Sequence, residues 1–314
     1  MSTIAVVGCG YWGRNLVRNF AEIGVLGGII DPSADTAKSL ADQYNVNAMS
    51  FSEALANDAI TGIAIAAPAE LHAELSIAAS NAGKHVYVEK PIALNMVDGE
   101  AMKKAAELAN RTLMVGHLLR YHPAFETLLW MVQSGKLGRV IHAYSHRLSL
   151  GKFRTNEDAL WSFAPHDVSM LLALFGREPL KVSASGGGYI TDKINDISRL
   201  EMDFGDGATA HIFASWLHPF KEHRLVVIGT EAMAVFEDSA PAANKLRLYS
   251  HSVKMTAAGP EPIKAEPVSI DYPSHEPLRA ECEHFIECVR GTISTPRTDA
   301  DEGLRVLRVL SSGK

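Results

Sequence analysis

The first part of the chain, up to about residue 118, alternates short apolar runs with longer amphipathic stretches. The apolar runs are typical of buried strands and comprise Thr3–Val7, Gly27–Ile30, Gly62–Ala66, His85–Val88 and Leu113–Val115. The stretches with helical periodicity are Tyr11–Ile23, Ala34–Tyr44, Glu70–Ala82 and Asn95–Ala109. Because buried strands separated by helices require right-handed crossovers, the pattern predicts a parallel sheet covered by helices on both faces.

From about Arg120 onward, strand-like runs follow one another with few helices between them. These runs are Val140–Leu148, Lys181–Tyr189, Ile197–Phe204, Ala208–Trp216, Arg224–Ile228, Ala232–Phe236 and Leu246–Ser250. Gly205-Asp206-Gly207 predicts a hairpin turn between two of them. Helices are predicted at Pro165–Leu174 and Glu276–Arg290, and a loop over the proline-rich stretch Pro260–Pro273. This order predicts an α+β region with a mostly antiparallel sheet.

The composition supports two folded domains and limits the possible partners. The chain has 314 residues, 47% of them hydrophobic and 21% charged, which excludes a disordered or fibrous protein. A net charge of −6 provides no overall basic field for nucleic acid. Three cysteines are a sparse, odd set that suits a reducing compartment. Since no signal peptide or membrane-length apolar stretch is found, we expect a cytoplasmic protein with no nucleic-acid or membrane partner.

A glycine-rich loop lies between the first predicted strand and the first predicted helix. Its sequence is Gly8-Cys9-Gly10-Tyr11-Trp12-Gly13, in which the glycines allow a tight turn, close approach to a pyrophosphate and close helix–strand packing. Asp31 ends the second strand, 18 residues beyond Gly13. Because a carboxylate at that position accepts hydrogen bonds from ribose hydroxyls and repels a 2′-phosphate, the combination predicts NAD rather than NADP. Cys9 is interpreted as a small loop residue rather than a nucleophile.

Two further segments follow strands of the predicted parallel sheet. Pro68 comes after the strand-like run Gly62–Ala66, and Glu89-Lys90-Pro91 comes after the next run, His85–Val88. An open α/β sheet binds its ligands at the carboxyl ends of its strands, so Lys90 is a candidate for proton transfer beside a nicotinamide. The alternative is a surface lysine paired with Glu89.

These segments carry a family resemblance. Gly83-Lys84-His85-Val86-Tyr87-Val88-Glu89-Lys90-Pro91, Ala67-Pro68-Ala69-Glu70-Leu71-His72 and Gly116-His117-Leu118-Leu119-Arg120-Tyr121-His122-Pro123 closely resemble the glucose–fructose oxidoreductase/inositol dehydrogenase/rhizopine-catabolism (Gfo/Idh/MocA) family. The resemblance covers nearly the whole chain. It implies an NAD-binding α/β Rossmann domain over residues 1–119, and a substrate-binding and oligomerisation α+β domain with a large, mostly antiparallel open sheet over residues 120–314. It also implies hydride transfer between a sugar or cyclitol hydroxyl and a nicotinamide.

The resemblance assigns candidate residues one by one. Lys90 and His166 take the positions of the family's catalytic lysine and histidine, and Ser162 stands where the family has an aspartate. His166 is the candidate base and Lys90 the group that polarises the oxygen, although the two roles could be exchanged. The positions expected to contact the cofactor are Gly8, Gly10, Tyr11, Trp12, Gly13, Asp31, Ala67, Pro68, His72, Glu89 and Lys90.

The substrate is predicted from the same comparison. The segments around His166 and Arg120 most resemble bacterial nucleotide-sugar dehydrogenases of the family, which oxidise a UDP-linked N-acetylated sugar or uronate at its third carbon. The residues expected on the substrate side are Lys90, Arg120, Tyr121, Arg147, Ser162 and His166. Because a UDP-sugar carries a pyrophosphate, Arg147, Lys152 and Arg154 are candidate contacts, with a solvated charged surface as the alternative.

Two other functions remain open from the sequence. One is a free-sugar or inositol dehydrogenase that uses the same Lys90 and His166. The other is a non-catalytic NAD-binding protein, which Ser162 favours. A metal site is not predicted, although His142 and His146 share one strand face, because a third protein ligand is not evident.

Apolar positions on several strands of the second half predict an association surface. These positions are Ile212, Ala214, Trp216, Val226 and Ile228. We therefore expect a homodimer or homotetramer formed through the open sheet.

Overall fold

The protein was analysed as a computed structural model that describes residues 2–151 and 153–312. The chain forms two compact units. The first contains the residues up to Tyr121 together with His275–Arg308, and the second contains His122–Ser274 and the residues from Val309 onward.

A six-stranded parallel sheet in the order β3-β2-β1-β4-β5-β6 forms the centre of the first unit. Its strands are β1 (Ile4–Val7), β2 (Leu26–Ile30), β3 (Asn47–Ala48), β4 (Gly62–Ile65), β5 (His85–Glu89) and β6 (Leu113–Gly116). The helices between them are α1 (Gly13–Ile23), α2 (Ala34–Tyr44), α3 (Phe51–Ala56), α4 (His72–Asn81) and α5 (Met96–Leu108). Strands β1 and β4 are buried throughout, as expected for a sheet covered on both faces. The predicted parallel sheet is therefore confirmed.

The second unit is built on an eight-stranded sheet in the order β16-β13-β12-β11-β7-β10-β9-β8. Its elements in chain order are α6 (Pro123–Gln133), β7 (Val140–Leu148), α7 (Ala159–Phe175), β8 (Lys181–Gly187), β9 (Ile197–Gly205), β10 (Ala208–Ser215), β11 (Glu222–Gly229), β12 (Met233–Glu237), β13 (Leu246–Tyr249), β14 (Ser252–Thr256), β15 (Gly259–Ile263) and β16 (Val268–Ser269). All its neighbouring strands are antiparallel except β7 and β10. Strands β14 and β15 form a separate two-stranded hairpin.

Two predicted elements differ in the structure. Helix α7 begins at Ala159 rather than Pro165, because the Asp158 carboxylate caps it by accepting the Trp161 N–H at 2.9 Å and Pro165 lies within the helix. The predicted loop Pro260–Pro273 contains strands β15 and β16. Prolines are tolerated in β15 because both strands of a two-stranded sheet are edges. The hairpin turn at Gly205–Gly207 is confirmed between β9 and β10.

The chain returns to the first unit after residue 274, which differs from the predicted division into 1–119 and 120–314. Helix α8 (Pro277–Val289) packs on α1, where the Phe285 ring meets Phe20 and Tyr87 edge-on with centroids 6.5 and 5.9 Å apart. Helix α9 (Ala300–Ser312) follows, and the backbone just before it bonds to β6 through Val115 N–H and Thr298 O at 2.8 Å. The first unit therefore completes its core with residues from the end of the chain.

Within the described residues, no helix is long and apolar enough to cross a membrane.

Candidate active site

The glycine loop follows β1 and is pressed against the end of β4. Gly8 has φ +82°, and a Cβ there would lie 2.6 Å from the backbone nitrogen of Ala67. A Cβ on Gly13 would lie 1.9 Å from the Gly8 carbonyl oxygen, whereas one on Gly10 would meet no atom within 4 Å. Gly8 and Gly13 are therefore required by packing, and Gly10 leaves open backbone at the amino end of α1, where an anion can approach. This arrangement fits a dinucleotide pyrophosphate.

Asp31 lies beside this loop at the carboxyl end of β2. Its Oδ2 accepts the Cys9 N–H at 2.7 Å and its Oδ1 accepts the Ser33 N–H at 2.9 Å. These bonds fix the carboxylate next to the loop, as the sequence predicts for a ribose-binding residue. Burial, followed by the Asp31 charge, raises the pKa of the Cys9 thiol to about 12. Cys9 is therefore a neutral loop residue, in agreement with its interpretation from the sequence.

His72, at the start of α4, holds two strand ends together. Its Nδ1 lies 2.8 Å from the Pro91 carbonyl oxygen and its Nε2 lies 3.0 Å from that of Ala67. Burial lowers the pKa of His72, whereas the two carbonyl contacts act in the opposite direction. His72 thus bridges the segments after β4 and β5. Its side chain is 1% exposed, and both ring nitrogens contact backbone carbonyls.

Glu89 and Lys90 lie at the end of β5. The Trp12 Nε1–H donates to Glu89 Oε1 at 2.5 Å, so the glycine loop is bonded directly to this strand end. The Lys90 N–H donates to Glu89 Oε2 at 3.3 Å. Burial raises the pKa of Glu89, opposed by the Trp12 hydrogen bond and the Lys90 charge. Lys90 itself is half-buried. Lys90 is therefore partly enclosed beside a buried carboxyl.

In the second unit, α7 carries the predicted histidine. Ser162 and His166 are four residues apart and therefore share one helix face, on which Ser162 is buried and His166 half-buried. Phe163, one residue after Ser162, lies edge-on to the His223 ring with centroids 6.2 Å apart. Asp167, the residue after His166, is fully buried on another face of the helix.

Several predicted substrate residues have structural partners instead. The Arg147 Nε donates to Asp167 Oδ2 at 2.8 Å in a buried ion pair, because residue 147 faces α7 rather than solvent. Tyr121 is 1% exposed in the core of the first unit, with its hydroxyl 3.2 Å from Thr298 Oγ1. These placements differ from the predicted roles in substrate binding.

The other residues predicted to contact substrate or cofactor differ in how exposed their side chains are. Arg120 is largely buried with its Nη1 3.5 Å from Glu302 Oε1, and the exposed Arg154 has its Nε 3.5 Å from Glu157 Oε1. Lys152 lies outside the described residues. Tyr11, a predicted cofactor contact, is 95% exposed on the glycine loop.

Sequence reasoning missed two acids contributed by the returning end of the chain. Glu302 accepts from the buried His117, whose Nδ1 lies 2.5 Å from its Oε2. Glu281 Oε2 lies 3.0 Å from the Tyr87 hydroxyl. Both glutamates are on helices whose charged residues ordinarily face solvent, so only the tertiary packing identifies them.

The His72 contacts predict that cofactor affinity depends on this side chain. A neutral imidazole has one N–H, so His72→Leu leaves one backbone carbonyl without its donor, and we expect a loss of about 1–3 kcal/mol in the free energy of unfolding. NAD binding should weaken by about tenfold, because the segments after β4 and β5 are no longer tied. Calorimetric titration measures the affinity, and urea unfolding measures the stability.

His85→Leu is the matched control, since the His85 Nδ1 accepts the Thr112 N–H at the opposite, amino end of β5. It should lower stability and leave NAD affinity near the wild-type value. Equal NAD affinity in the two variants would contradict the proposed role of His72.

This chain is similar to several known proteins, among them two sugar or cyclitol dehydrogenases. A UDP-N-acetylglucosamine 3-dehydrogenase from Acidithiobacillus ferrooxidans is 28% identical over 290 residues, covering 90% of this chain and 87% of the relative. Its solved structure superposes with a TM-score of 0.86 at 25% identity, covering 99% of this chain and 96% of that one. A scyllo-inositol 2-dehydrogenase (NAD(+)) from Bacillus subtilis is 26% identical over 318 residues, covering 95% of this chain and 89% of the relative.

Models of two family domains also match this chain. Residues 2–117 match the oxidoreductase family model with an NAD-binding Rossmann fold. Residues 125–235 match the GFO/IDH/MocA C-terminal domain. Together with the parallel sheet, the glycine loop and the Glu89-Lys90-Pro91 segment, these matches show that the chain belongs to the Gfo/Idh/MocA family of NAD-binding oxidoreductases.

Proposed function

We propose that this oxidoreductase transfers a hydride between NAD and a ring hydroxyl of a UDP-linked N-acetylated sugar or uronate, in glycan biosynthesis. The observation that carries the proposal is a nearly full-length similarity to a UDP-N-acetylglucosamine 3-dehydrogenase, combined with Lys90 at the cofactor-binding edge. The similarity to an inositol dehydrogenase supports a second candidate, a free-sugar or inositol dehydrogenase.

The chemistry requires two side chains of this protein. A carbinol carbon that loses a hydride also loses its hydroxyl proton, so a base and a cation must act on the oxygen. We assign His166 as the base that accepts the hydroxyl proton. Lys90 is assigned as the cation that stabilises the developing alkoxide as the carbonyl forms. The nicotinamide, when bound, supplies the acceptor for the hydride. Ser162, on the same α7 face as His166, supplies a hydroxyl where the family has a carboxylate, so it can bond to a substrate hydroxyl but adds no charge.

The cofactor is held by the residues at the carboxyl edge of the first sheet. Gly10 and the amino end of α1 receive the pyrophosphate, and Asp31 receives the ribose hydroxyls. Trp12 donates to the Glu89 carboxyl, which precedes Lys90 in the chain, and these side chains would border the nicotinamide end of the cofactor.

We also propose a homodimer or homotetramer formed through the open sheet face. Ile212, Ala214 and Trp216 are fully buried, and Ala214 and Trp216 pack with Ala159 of α7, so these positions belong to the covered face and not to the predicted association surface. The other face carries Tyr144 and His211, whose rings stack with centroids 5.3 Å apart. Half-exposed side chains that continue this surface are His142, His146, Phe213 and Ile228. An open face rich in rings favours a second copy of the chain as its partner.

Substrate and catalytic residue are tested together. NADH formation is followed with UDP-N-acetylglucosamine, its uronate, free aldoses and inositols. We expect turnover only with the UDP-sugars and none with the free aldoses or inositols. Lys90→Met should lower kcat by about 10²–10⁴-fold, because the alkoxide loses its cation. The exposed Lys38, paired with Asp42, provides the control variant Lys38→Met. Turnover only with inositols or free sugars would establish the second candidate, and NAD binding without any turnover would establish a non-catalytic protein.

Asp31 predicts the cofactor preference. Asp31→Ser removes the charge that repels a 2′-phosphate, so the preference for NAD over NADP should fall by about tenfold or more. Titration of both cofactors into wild type, this variant and the control Asp35→Asn, an exposed acid in the first turn of α2, measures the effect. A wild-type protein that prefers NADP would contradict the assignment.

The assembly is tested by light scattering at micromolar concentration. We expect a mass of two or four chains, and Phe213→Asp should shift it toward one chain by placing a charge within the open face. Val253→Asp, at an exposed position of the β14–β15 hairpin, is the control. A wild-type protein with the mass of a single chain would refute the assembly.

A further inference from the structure

A chain of three buried polar side chains lies behind Lys90 in the first unit. Tyr87 and Glu281 are 0% exposed and Glu89 is 8% exposed. The Tyr87 hydroxyl lies 3.1 Å from Glu89 Oε1 and 3.0 Å from Glu281 Oε2, so one phenol group joins two carboxyl groups. Glu281 comes from α8, and the other two come from β5.

Counting hydrogens constrains the charge of this chain. A phenol has one hydrogen and can donate it to one carboxyl only. The second contact is a hydrogen bond only if that carboxyl carries its own proton and donates to the phenol oxygen. If both carboxyls were ionised, the phenol oxygen and one carboxylate oxygen would face each other with no hydrogen between them. This contact lies in a region closed to water, where such a pair is unfavourable. The geometry therefore requires one protonated carboxyl.

The surroundings identify which carboxyl is protonated. Glu89 already accepts from the Trp12 indole N–H and the Lys90 backbone N–H, as an ionised carboxylate does. Glu281 Oε2 has the Tyr87 contact, and among the described residues Glu281 Oε1 has no hydrogen-bond partner. An acid with so few donors around it is better satisfied as the neutral form.

Electrostatics act in the same direction. Burial, followed by the charges of Glu89 and Glu302, raises the pKa of Glu281 well above its usual range, and only the Tyr87 bond opposes this. The charge of Glu281 also acts on two other titratable groups, Tyr121 and Cys282. Burial is the largest cause that raises the pKa of each. The bonds therefore run in one direction, from Glu281 to Tyr87 and from Tyr87 to Glu89.

We propose that Glu281 is a permanently protonated carboxylic acid that, through Tyr87, keeps the Glu89 carboxylate ionised beside Lys90, and is thus a positioning residue for the reaction. If Glu281 were ionised, Tyr87 would turn its hydrogen toward it, and two buried negative charges would favour protonation of Glu89. Lys90 would then lose the anion next to it in the chain. The catalytic part of this inference rests on the proposed function, whereas the protonation state of Glu281 does not.

Infrared spectroscopy reads the protonation state without turnover. The cofactor-free protein in D₂O at neutral pH should show a carboxylic-acid C=O band that Glu281→Gln removes. Glu89→Gln is the matched control, because it should remove intensity from the carboxylate band only. Loss of carboxylate intensity in Glu281→Gln, with the acid band intact, would overturn the proposal.

A measurement on the wild-type protein guards against a variant that fails to fold. With glutamate labelled by ¹³C at its side-chain carboxyl, one resonance should keep the position of a protonated acid from about pH 6 to pH 8, where an ordinary glutamate with a pKa of about 4.3 is ionised. A spectrum in which every glutamate is ionised in that range would overturn the proposal.

The pH profile of kcat/KM tests the coupling to Lys90. In Tyr87→Phe the Glu89 carboxylate loses a donor, so its pKa rises and the acidic limb of the profile, to which His166 also contributes, should move to higher pH. Glu281→Gln, whose amide can still donate to Tyr87, should keep the wild-type limb. Glu281→Leu removes the donor that orients and polarises the Tyr87 hydroxyl, so it should give a smaller shift in the same direction as Tyr87→Phe.

Identical limbs in all these variants would refute the positioning role. A protein that turns over no sugar but shows the Glu281 acid band would refute the proposed function and leave the protonation state established. Turnover of a UDP-sugar by a protein with an ionised Glu281 would refute this inference alone.

Discussion

The contact between the glycine loop and the end of β4 is the constraint on which the cofactor-binding edge depends. At Gly8 even a Cβ would lie 2.6 Å from the Ala67 backbone, so the turns after β1 and β4 touch through backbone atoms. That contact brings Trp12 to Glu89 and places the Ala67 carbonyl against His72. The strand ends of β1, β4 and β5 are thus bonded to each other before any ligand binds, and a preorganised edge loses less entropy on binding.

The sequence was sufficient to predict the architecture where local pattern and physical need coincide. Buried apolar runs predicted the strands of the parallel sheet, because both its faces are covered. The glycine spacing predicted the loop, because packing leaves no room at Gly8 and Gly13. Pro260 and Pro262 predicted a loop where the structure has β15, since a pattern cannot show that a strand is an edge.

What the sequence could not supply is the tertiary environment of polar residues. Arg147 was predicted to face substrate. Strand alternation shows which face of β7 its side chain lies on, but it does not show that Asp167 of α7 packs against that face. Glu281 is an acid in an amphipathic helix, a residue type usually exposed, and only the packing of α8 on α1 buries it beside Tyr87. Burying an ionisable side chain is expensive and therefore marks a place where its charge state matters.

The central claim is the proposal that this protein oxidises a sugar ring carbon with NAD. The most direct measurement is turnover of UDP-N-acetylglucosamine carrying deuterium at its third carbon. The account predicts slower NADH formation than with the protium substrate and deuterium recovered in the nicotinamide. Reduced cofactor that contains no deuterium, or deuterium that stays in the sugar, would contradict it.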